Sequence, residues 1–230
     1  MSGHLLFKLG TADAGHETFR VERVTGGYRI VGDVDLQAMG YHIVQQLEVD
    51  AGERLEFRSA TVRATVNDET SLVTLRRRNG EGVQELTTND STVTQNIATP
   101  EGSVLLTNNV IHHMVQFAWL HDGAVGETRE FVAFPRVPVT VRFEYAGMVT
   151  KAGATLSVRR YFLNLANTVG LYVWLADDGA PLKILVPLQA FEAVSEAHQE
   201  WSDALSPTQS EPAPEPASED GYEAEELTSG

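Results

Sequence analysis

Three of the chain's seven histidines lie within the fifteen residues NNVIHHMVQFAWLHD, which run from Asn108 to Asp122. Imidazole is a frequent zinc ligand and a frequent general base, so this segment is the first candidate for chemistry. A zinc site on a helix needs ligands four residues apart, whereas His112 and His113 are adjacent and His121 lies eight residues after His113. On a helix, those last two imidazoles would be separated by roughly 12 Å along the axis. The spacing therefore predicts no metal site, and we expect no cofactor.

Acid–base catalysis is a second use for these histidines. His121 precedes Asp122, and His113 could meet a carboxylate from a neighbouring strand, as a hydrolase or isomerase would require. Asp33 and Asp35 alternate along a predicted strand and form either a carboxylate pair or part of a solvated face. The chain has no cysteine, no Gly-x-Ser-x-Gly elbow and no glycine-rich phosphate loop. We therefore rank an enzyme below a non-enzymatic binding protein and predict no catalytic residue.

Large apolar side chains form the third candidate, a cavity for a hydrophobic or amphipathic, lipid-like small molecule. Aromatic rings and methionine line such cavities, although the same side chains form the core of any fold. In the cavity interpretation, His112, His113 and Gln116 supply polar groups at its mouth. The predicted ligand-binding residues are Tyr41, Phe57, His113, Met114, Phe117, Trp119, Tyr172 and Trp174.

The net charge of −15 is unevenly distributed. Asp203 and the residues after it include eight acids and no base, which leaves 24 acids against 17 bases before it. An acidic surface repels phosphate backbones, and Arg76, Arg77 and Arg78 run into an Asn-Gly turn, so we predict no nucleic-acid binding. No apolar run approaches the roughly 18 residues of a membrane helix, and no secretion signal is recognised. The expectation is a cytoplasmic protein without a membrane span.

Alternating apolar and polar residues, separated by turn residues, predict one mainly β domain over residues 1–187. The pattern indicates about a dozen antiparallel strands, and a sheet of that size twists too much to remain flat. We therefore expect a large curved antiparallel sheet with a half-barrel or barrel-like form. A structural or assembly module remains a rival interpretation, in which long sheet edges pair with another copy in a homo-oligomer.

Two segments depart from the strand pattern. Val110, Met114 and Phe117 are three or four residues apart, which predicts a helix over about 105–121 that plugs or gates the concave face, with a strand as the alternative. Asn108 or Asn109 would cap its N-terminus. Similar spacing predicts a C-terminal helix over 188–205. Residues 206–230 are acidic and proline-rich and should form a disordered tail, which is either solubilising or a docking segment for a basic partner.

The order of elements resembles bacterial families of unknown function that are grouped around the lipoprotein-carrier type of half-barrel. The resemblance covers most of residues 16 to 187 and rests on YRIVGDVDLQAMGYHIVQQLEVDAGERLEFRSATV, on VLLTNNVIHHMVQFAWL and on LSVRRYFLNLANTVGLYVWLADDGAPLKILVP. It includes no catalytic or binding motif, and the chain differs from periplasmic members in lacking a secretion signal. The resemblance implies a curved sheet that closes over a helix and an apolar cavity, and thus an apolar ligand.

Overall fold

The computed structural model describes residues 1–38, 40–78, 81–88 and 91–208. In this part of the chain, the predicted large antiparallel sheet forms and contains fifteen strands. The strands are Ser2–Leu9 (β1), Ala12–Val24 (β2), Gly27–Ala38 (β3), Tyr41–Ala51 (β4), Phe57–Val66 (β5), Glu69–Arg78 (β6), Glu81–Thr88 (β7), Ser91–Ala98 (β8), Val104–Leu105 (β9), Thr128–Phe134 (β10), Val137–Lys151 (β11), Ala154–Leu165 (β12), Val169–Ala176 (β13), Pro181–Val186 (β14) and Phe191–Ser195 (β15).

The first and the last of the described strands meet in the middle of the sheet. The strand order is β8-β7-β6-β5-β4-β3-β2-β1-β15-β14-β13-β12-β11-β10-β9. Strands β2 to β8 therefore follow β1 outward on one side, and β14 to β9 follow β15 outward on the other. Most neighbours along each half are joined by short turns, as the alternation and turn residues predict. The pairing of β9 with β10 is parallel, and all other neighbouring strands are antiparallel.

The sheet is curved, and its ends are not joined by a continuous ladder. Bulges interrupt the β1–β2, β4–β5, β11–β12 and β13–β14 ladders, and such bulges bend the strands that contain them. The curvature brings β9 to the start of β5, where Val104 forms an isolated bridge with Glu56. Next to this bridge, the Phe57 N–H donates a hydrogen bond to the Ser103 carbonyl over 3.0 Å.

The two faces of the sheet carry separate hydrophobic clusters. One cluster includes Phe7 of β1 and Phe57 of β5. It lies on the face of the sheet that helix His112–Leu120 contacts, and we call this the inner face. The other cluster lies on the opposite, outer face. Alternation along β13 distributes its side chains between the two, since Val173 and Leu175 join the inner cluster and Trp174 joins the outer one.

The helix predicted over about 105–121 is confirmed as a shorter helix, α1, at His112–Leu120. It packs on the inner face and contacts both halves of the sheet. The His112 ring stacks on Phe19 of β2 with 5.1 Å between centroids, and the Phe117 ring lies 6.1 Å from Phe131 of β10. Within the described ranges, no helix has the length and apolar character that crossing a membrane requires.

The C-terminal helix predicted over 188–205 is wrong. The segment contains a 3₁₀ turn at Pro187–Gln189, strand β15 and a 3₁₀ helix at Glu196–Trp201. Ladder pairing explains the difference, because β15 lies between β1 and β14 and hydrogen-bonds to both. Such tertiary pairing outweighs a local helical spacing of apolar residues.

Residues 196–208 cover the outer face over β11 to β14. Trp201 and Leu205 are buried there in the outer cluster beside Trp174. Two buried cations bind backbone carbonyls of the covering segment. Lys183 Nζ donates to the carbonyl of Ser202 over 2.8 Å, and Arg160 Nη1 donates to the carbonyl of Ser206 over 2.9 Å.

The first three residues of the tail predicted over 206–230 pack on the sheet, contrary to the prediction. Residues 206–208 are attached to the sheet through Arg160, and the Ser206 and Thr208 hydroxyls hydrogen-bond to each other over 2.9 Å. The remainder of the predicted tail lies outside the described residues.

We predict that Trp201→Ala destabilises the protein by about 3–5 kcal/mol, because it empties a buried aromatic position between the covering segment and Trp174. Urea unfolding, followed by circular dichroism, measures the loss. Leu188→Ala is the matched control, since Leu188 is 83% exposed and its truncation should change stability by less than about 0.5 kcal/mol. Equal effects of the two substitutions would contradict the packing of this segment.

Candidate functional site

A buried carboxylate from β2 caps the N-terminus of α1. Glu17 is fully buried, and its Oε2 accepts hydrogen bonds from the backbone N–H groups of Ile111 (2.9 Å) and His112 (3.2 Å). The His112 side chain donates from Nδ1 to the other oxygen, Oε1. The cap predicted at Asn108 or Asn109 is wrong, because the N-cap position is Ile111 and Glu17 takes its place from across the sheet.

His113 is an uncharged imidazole inside the protein at neutral pH. Its Nδ1 accepts a hydrogen bond from the Thr107 N–H over 3.2 Å, which places the ring hydrogen on Nε2. Burial lowers the pKa of His113 well below its ordinary value, and the neighbouring His112 lowers it further. The two imidazoles are in edge contact, with 4.7 Å between their centroids.

Several buried polar atoms around the first turns of α1 have no hydrogen-bond partner in the described part of the chain. They are Oγ1 of Thr107 and the Nε2 atoms of His112, His113 and Gln116. Buried polar atoms are normally paired, so this end of α1 is costly to the fold. Both histidines are fully buried, and a dissolved substrate does not reach them in this conformation.

The buried histidine–carboxylate pair, His112 with Glu17, differs from the pairs predicted. His121 fixes a loop, since its Nε2 donates to the Glu127 carbonyl over 3.2 Å and its Nδ1 accepts from the Gly123 N–H over 3.3 Å. Asp122 forms an ion pair with Arg129 at 2.7 Å instead. Across the described ranges, no three histidine or carboxylate side chains are grouped so that they could hold a metal ion.

The predicted carboxylate pair of β3 lies on the outer face. Asp33 accepts a hydrogen bond from the Gln46 amide over 3.2 Å, and Asp35 lies 3.0 Å from Nε2 of His42. Each carboxylate thus has its own exposed partner on β4. The solvated-face interpretation accounts for both residues.

Half of the predicted ligand-binding residues lie together in or against the inner cluster. Phe57 and Phe117 are fully buried, and Phe57 packs against Phe134 with 4.8 Å between ring centroids. Met114 and Trp119 are partly buried against the same cluster, and Trp119 Nε1 donates to the Gly179 carbonyl over 2.8 Å. These residues form filled core in this conformation.

The other predicted ligand-binding residues are dispersed. His113 is fully buried at the first turn of α1, where it accepts the Thr107 N–H. Tyr172 and Trp174 belong to the outer cluster, on the opposite side of the sheet from Phe57. Tyr41 is 56% exposed and lines a shallow surface cleft at the β3–β4 turn. The predicted set is therefore not a single site.

A cleft of about 560 Å³ opens where the curved sheet brings β9 and β10 close to the start of β5. This volume lies in the range of small-molecule sites, roughly 300–1,000 Å³. Its wall joins charged side chains to apolar ones from α1 and β10. The lining residues are Arg54, Glu56, Arg77, Glu101, Gly102, Leu120 and Phe131.

The two arginines of this cleft are its available binding groups. The Glu56 carboxylate accepts a hydrogen bond from the backbone N–H of Arg54 over 3.0 Å and so is committed to its own turn. Arg77 makes one long hydrogen bond, of 3.4 Å, to the Pro100 carbonyl. Neither guanidinium forms an ion pair with any residue that the structure describes. Planar guanidinium groups bind carboxylate and phosphate oxygens in pairs.

The sequence did not predict this cleft. The predicted ligand residues include neither Leu120 nor Phe131, and Arg77 belongs to the hairpin end for which no phosphate binding is predicted. The lining positions come from five separate stretches of the chain, so no local spacing relates them. The one local sequence signal for the cleft is Leu120, an apolar residue at the end of α1 next to a loop.

Comparisons with known proteins assign no family to the chain. No protein family and no curated protein matches it. Among solved structures, it is similar to the crystal structure of a DUF1089 family protein from Pseudomonas aeruginosa, with 12% identity and a TM-score of 0.36. That alignment covers 76% of this chain and 86% of the other. The lipoprotein-carrier resemblance stays a prediction.

We predict that Glu17→Ala destabilises the protein by about 3–5 kcal/mol, because it leaves His112 and two helix N–H groups buried without an acceptor. Glu17→Gln keeps one acceptor oxygen and should cost less, about 1–3 kcal/mol. Glu22→Ala on the same strand is the control, since the Glu22–Arg20 pair is solvent-exposed. Urea unfolding of the three variants measures these differences, and a Glu17→Ala cost no larger than that of Glu22→Ala would refute the capping role.

We predict that the stability of the protein falls as the pH drops below about 6.5, the ordinary pKa of His113. The unfolded chain then binds a proton that the folded chain excludes, so stabilisation present above this pH is lost towards the lowered folded value. His113→Gln removes this contribution and should flatten the dependence. Free energies of unfolding between pH 5 and pH 8 measure it, and parallel curves for the two proteins would show that His113 has no such effect.

Proposed function

We propose that the protein is a non-enzymatic binding protein for an amphipathic small molecule with an anionic headgroup. The observation that carries the proposal is the cleft in which Arg54 and Arg77 lie beside Leu120 and Phe131. The apolar side chains would contact the hydrocarbon part of the ligand, and the arginines would bind its carboxylate or phosphate. The resemblance to lipoprotein-carrier half-barrels also implies an apolar ligand.

The apolar wall of the cleft is continuous with the inner cluster. Leu120 is the last residue of α1, and both Leu120 and Phe131 are partly buried against that cluster. The Phe131 ring lies 6.1 Å from the fully buried Phe117, which precedes Leu120 by one turn of α1. A hydrocarbon chain that enters between Leu120 and Phe131 would reach the buried Phe117 ring behind them. In this proposal α1 is the plug of the concave face, and its C-terminal end gates the entry.

The two guanidinium groups of the charged wall would bind the anion at the mouth of the cleft, beside the carboxylates of Glu56 and Glu101. Arg54 is exposed, Arg77 is half-buried, and neither has an ion-pair partner among the described residues. Glu101 is the remaining carboxylate of the lining and lies on the exposed turn at residues 101–102. A partly buried guanidinium without a carboxylate partner gains more from a ligand anion than from water, because hydrogen bonds between ionised groups are the stronger ones.

Titration with decanoate, compared with decanol, tests this assignment. We predict that the wild type binds decanoate more tightly than decanol in isothermal calorimetry, because only decanoate presents an anion to the arginines. Arg54→Gln and Arg77→Gln should each weaken decanoate binding by about tenfold, or ~1.4 kcal/mol, and leave decanol binding unchanged. Phe131→Ser should weaken the binding of both compounds.

Arg142→Gln is the matched control. Arg142 is an exposed arginine of β11 outside the cleft, and its substitution changes the net charge by the same amount. An equal effect of Arg142→Gln would mean that the arginines act only through overall charge. Absence of any binding, together with no co-purifying amphiphile in native mass spectrometry, would refute the proposed function.

A further inference from the structure

Strand β8 (Ser91–Ala98) forms an exposed edge of the sheet. It pairs with β7 on one side, and no other described strand pairs with it. Its residues from Ser91 to Asn96 are exposed on both faces, and Val93 is 60% exposed. The strand therefore presents a row of backbone groups that a further strand could bind.

The composition of β8 differs from that of a protected edge. Its sequence STVTQNIA contains no charged residue and no proline. Residues of these two kinds prevent an edge strand from pairing with a strand of another molecule. The open side of β10 shows the usual protection, since Arg129 and Glu130 are exposed there. At the other end of the sheet, β9 has two residues, Val104 and Leu105, and both are buried.

Uncharged strands elsewhere in the described chain are covered. Strand β13, VGLYVWLA, is central in the sheet and carries side chains of both hydrophobic clusters. Strand β9 is buried. Strand β8 is uncharged like these two, yet it has solvent on both faces. This contrast indicates that β8 is covered in the working state of the protein.

An apolar row on the inner face also ends at β8. The register of the ladders places Leu47, Val62, Val73, Leu86 and Val93 side by side across β4 to β8. The exposed fraction is 3% for Leu47 and 6% for Val62, and it rises to 60% for Val93. The row thus begins in the core and ends at the edge of the sheet with the exposed Val93.

We infer that β8 is the interface of a homodimer, in which the β8 strands of two copies pair antiparallel across a two-fold axis. With the axis at Val93, this valine meets its equivalent, Thr92 meets Thr94 of the other copy, and the two apolar rows become one. A second copy fits because it supplies an equally uncharged strand and the end of the same apolar row. A basic partner would instead require acidic side chains on β8, which has none. Such isologous pairing is the commonest form of oligomer.

This interface is independent of the proposed ligand cleft, because none of the residues that line the cleft belongs to β8. The dimer can therefore form whether or not the cleft binds an amphiphile. An experiment that refutes the ligand cleft would therefore not refute the dimer interface, and the reverse is also true.

Sedimentation equilibrium of the full chain tests the dimer. The wild type should associate reversibly into a dimer, and Val93→Lys should weaken the association by at least about tenfold, because two lysines then face each other across the axis. Val44→Lys is the matched control, since Val44 is 38% exposed on β4 and lies away from the edge. Circular dichroism establishes that both variants are folded. A wild type that stays monomeric at high concentration, or equal weakening by the two substitutions, would overturn the inference.

Disulfide crosslinking gives a second test, because the chain contains no cysteine. Val93→Cys should form a crosslinked dimer on mild oxidation at low protein concentration. Leu188→Cys introduces a thiol at a more exposed position, in the 3₁₀ turn after β14, and should remain monomeric. Equal crosslinking of both variants would show random collision and would count against the β8 interface.

Discussion

The antiparallel pairing of β1 with β15 is the contact on which the rest of the fold depends. It aligns Leu5 to Leu9 with Ser195 to Phe191 and so joins the first described strand to the last one. Each half is otherwise a row of strands with two open edges, and neither half alone encloses the inner cluster. Once the halves are joined, the twist that accumulates over the strands curves a single sheet and gives it an inner face. The cost is the closure of a very long loop, although that cost grows only slowly with loop length.

The position of α1 follows from this curvature and from one buried carboxylate. The helix contacts β2 in one half of the sheet and β10 in the other, so it fits only after both halves are in place. Its N–H groups and His112 would be buried without acceptors, and Glu17 supplies them. Burial of this polar end among apolar rings is expensive without a partner. The same interaction therefore fixes where the helix begins and which way it points.

The proposed ligand cleft and the proposed dimer interface lie at different places in the same sheet, and both result from its curvature. The cleft lies where curvature brings the C-terminal half back to β5, and its arginines and apolar side chains come from both halves. Strand β8 lies where the curved sheet ends without closing. A closed barrel would leave no such edge. Incomplete closure thus leaves both an opening beside α1 and a strand that can pair with another copy.

The sequence by itself determined the local features of this protein. Period-two alternation and tight turns define the strands and the registers of the hairpins, and the spacing of Val110, Met114 and Phe117 identifies α1. Tertiary structure decided the rest. The strand at 191–195, the capping of α1 by Glu17 and the separation of Trp174 from Phe57 all depend on which distant segments meet. Alternation specifies that neighbouring side chains point to opposite faces, but only the assembled, curved sheet determines which face is inside.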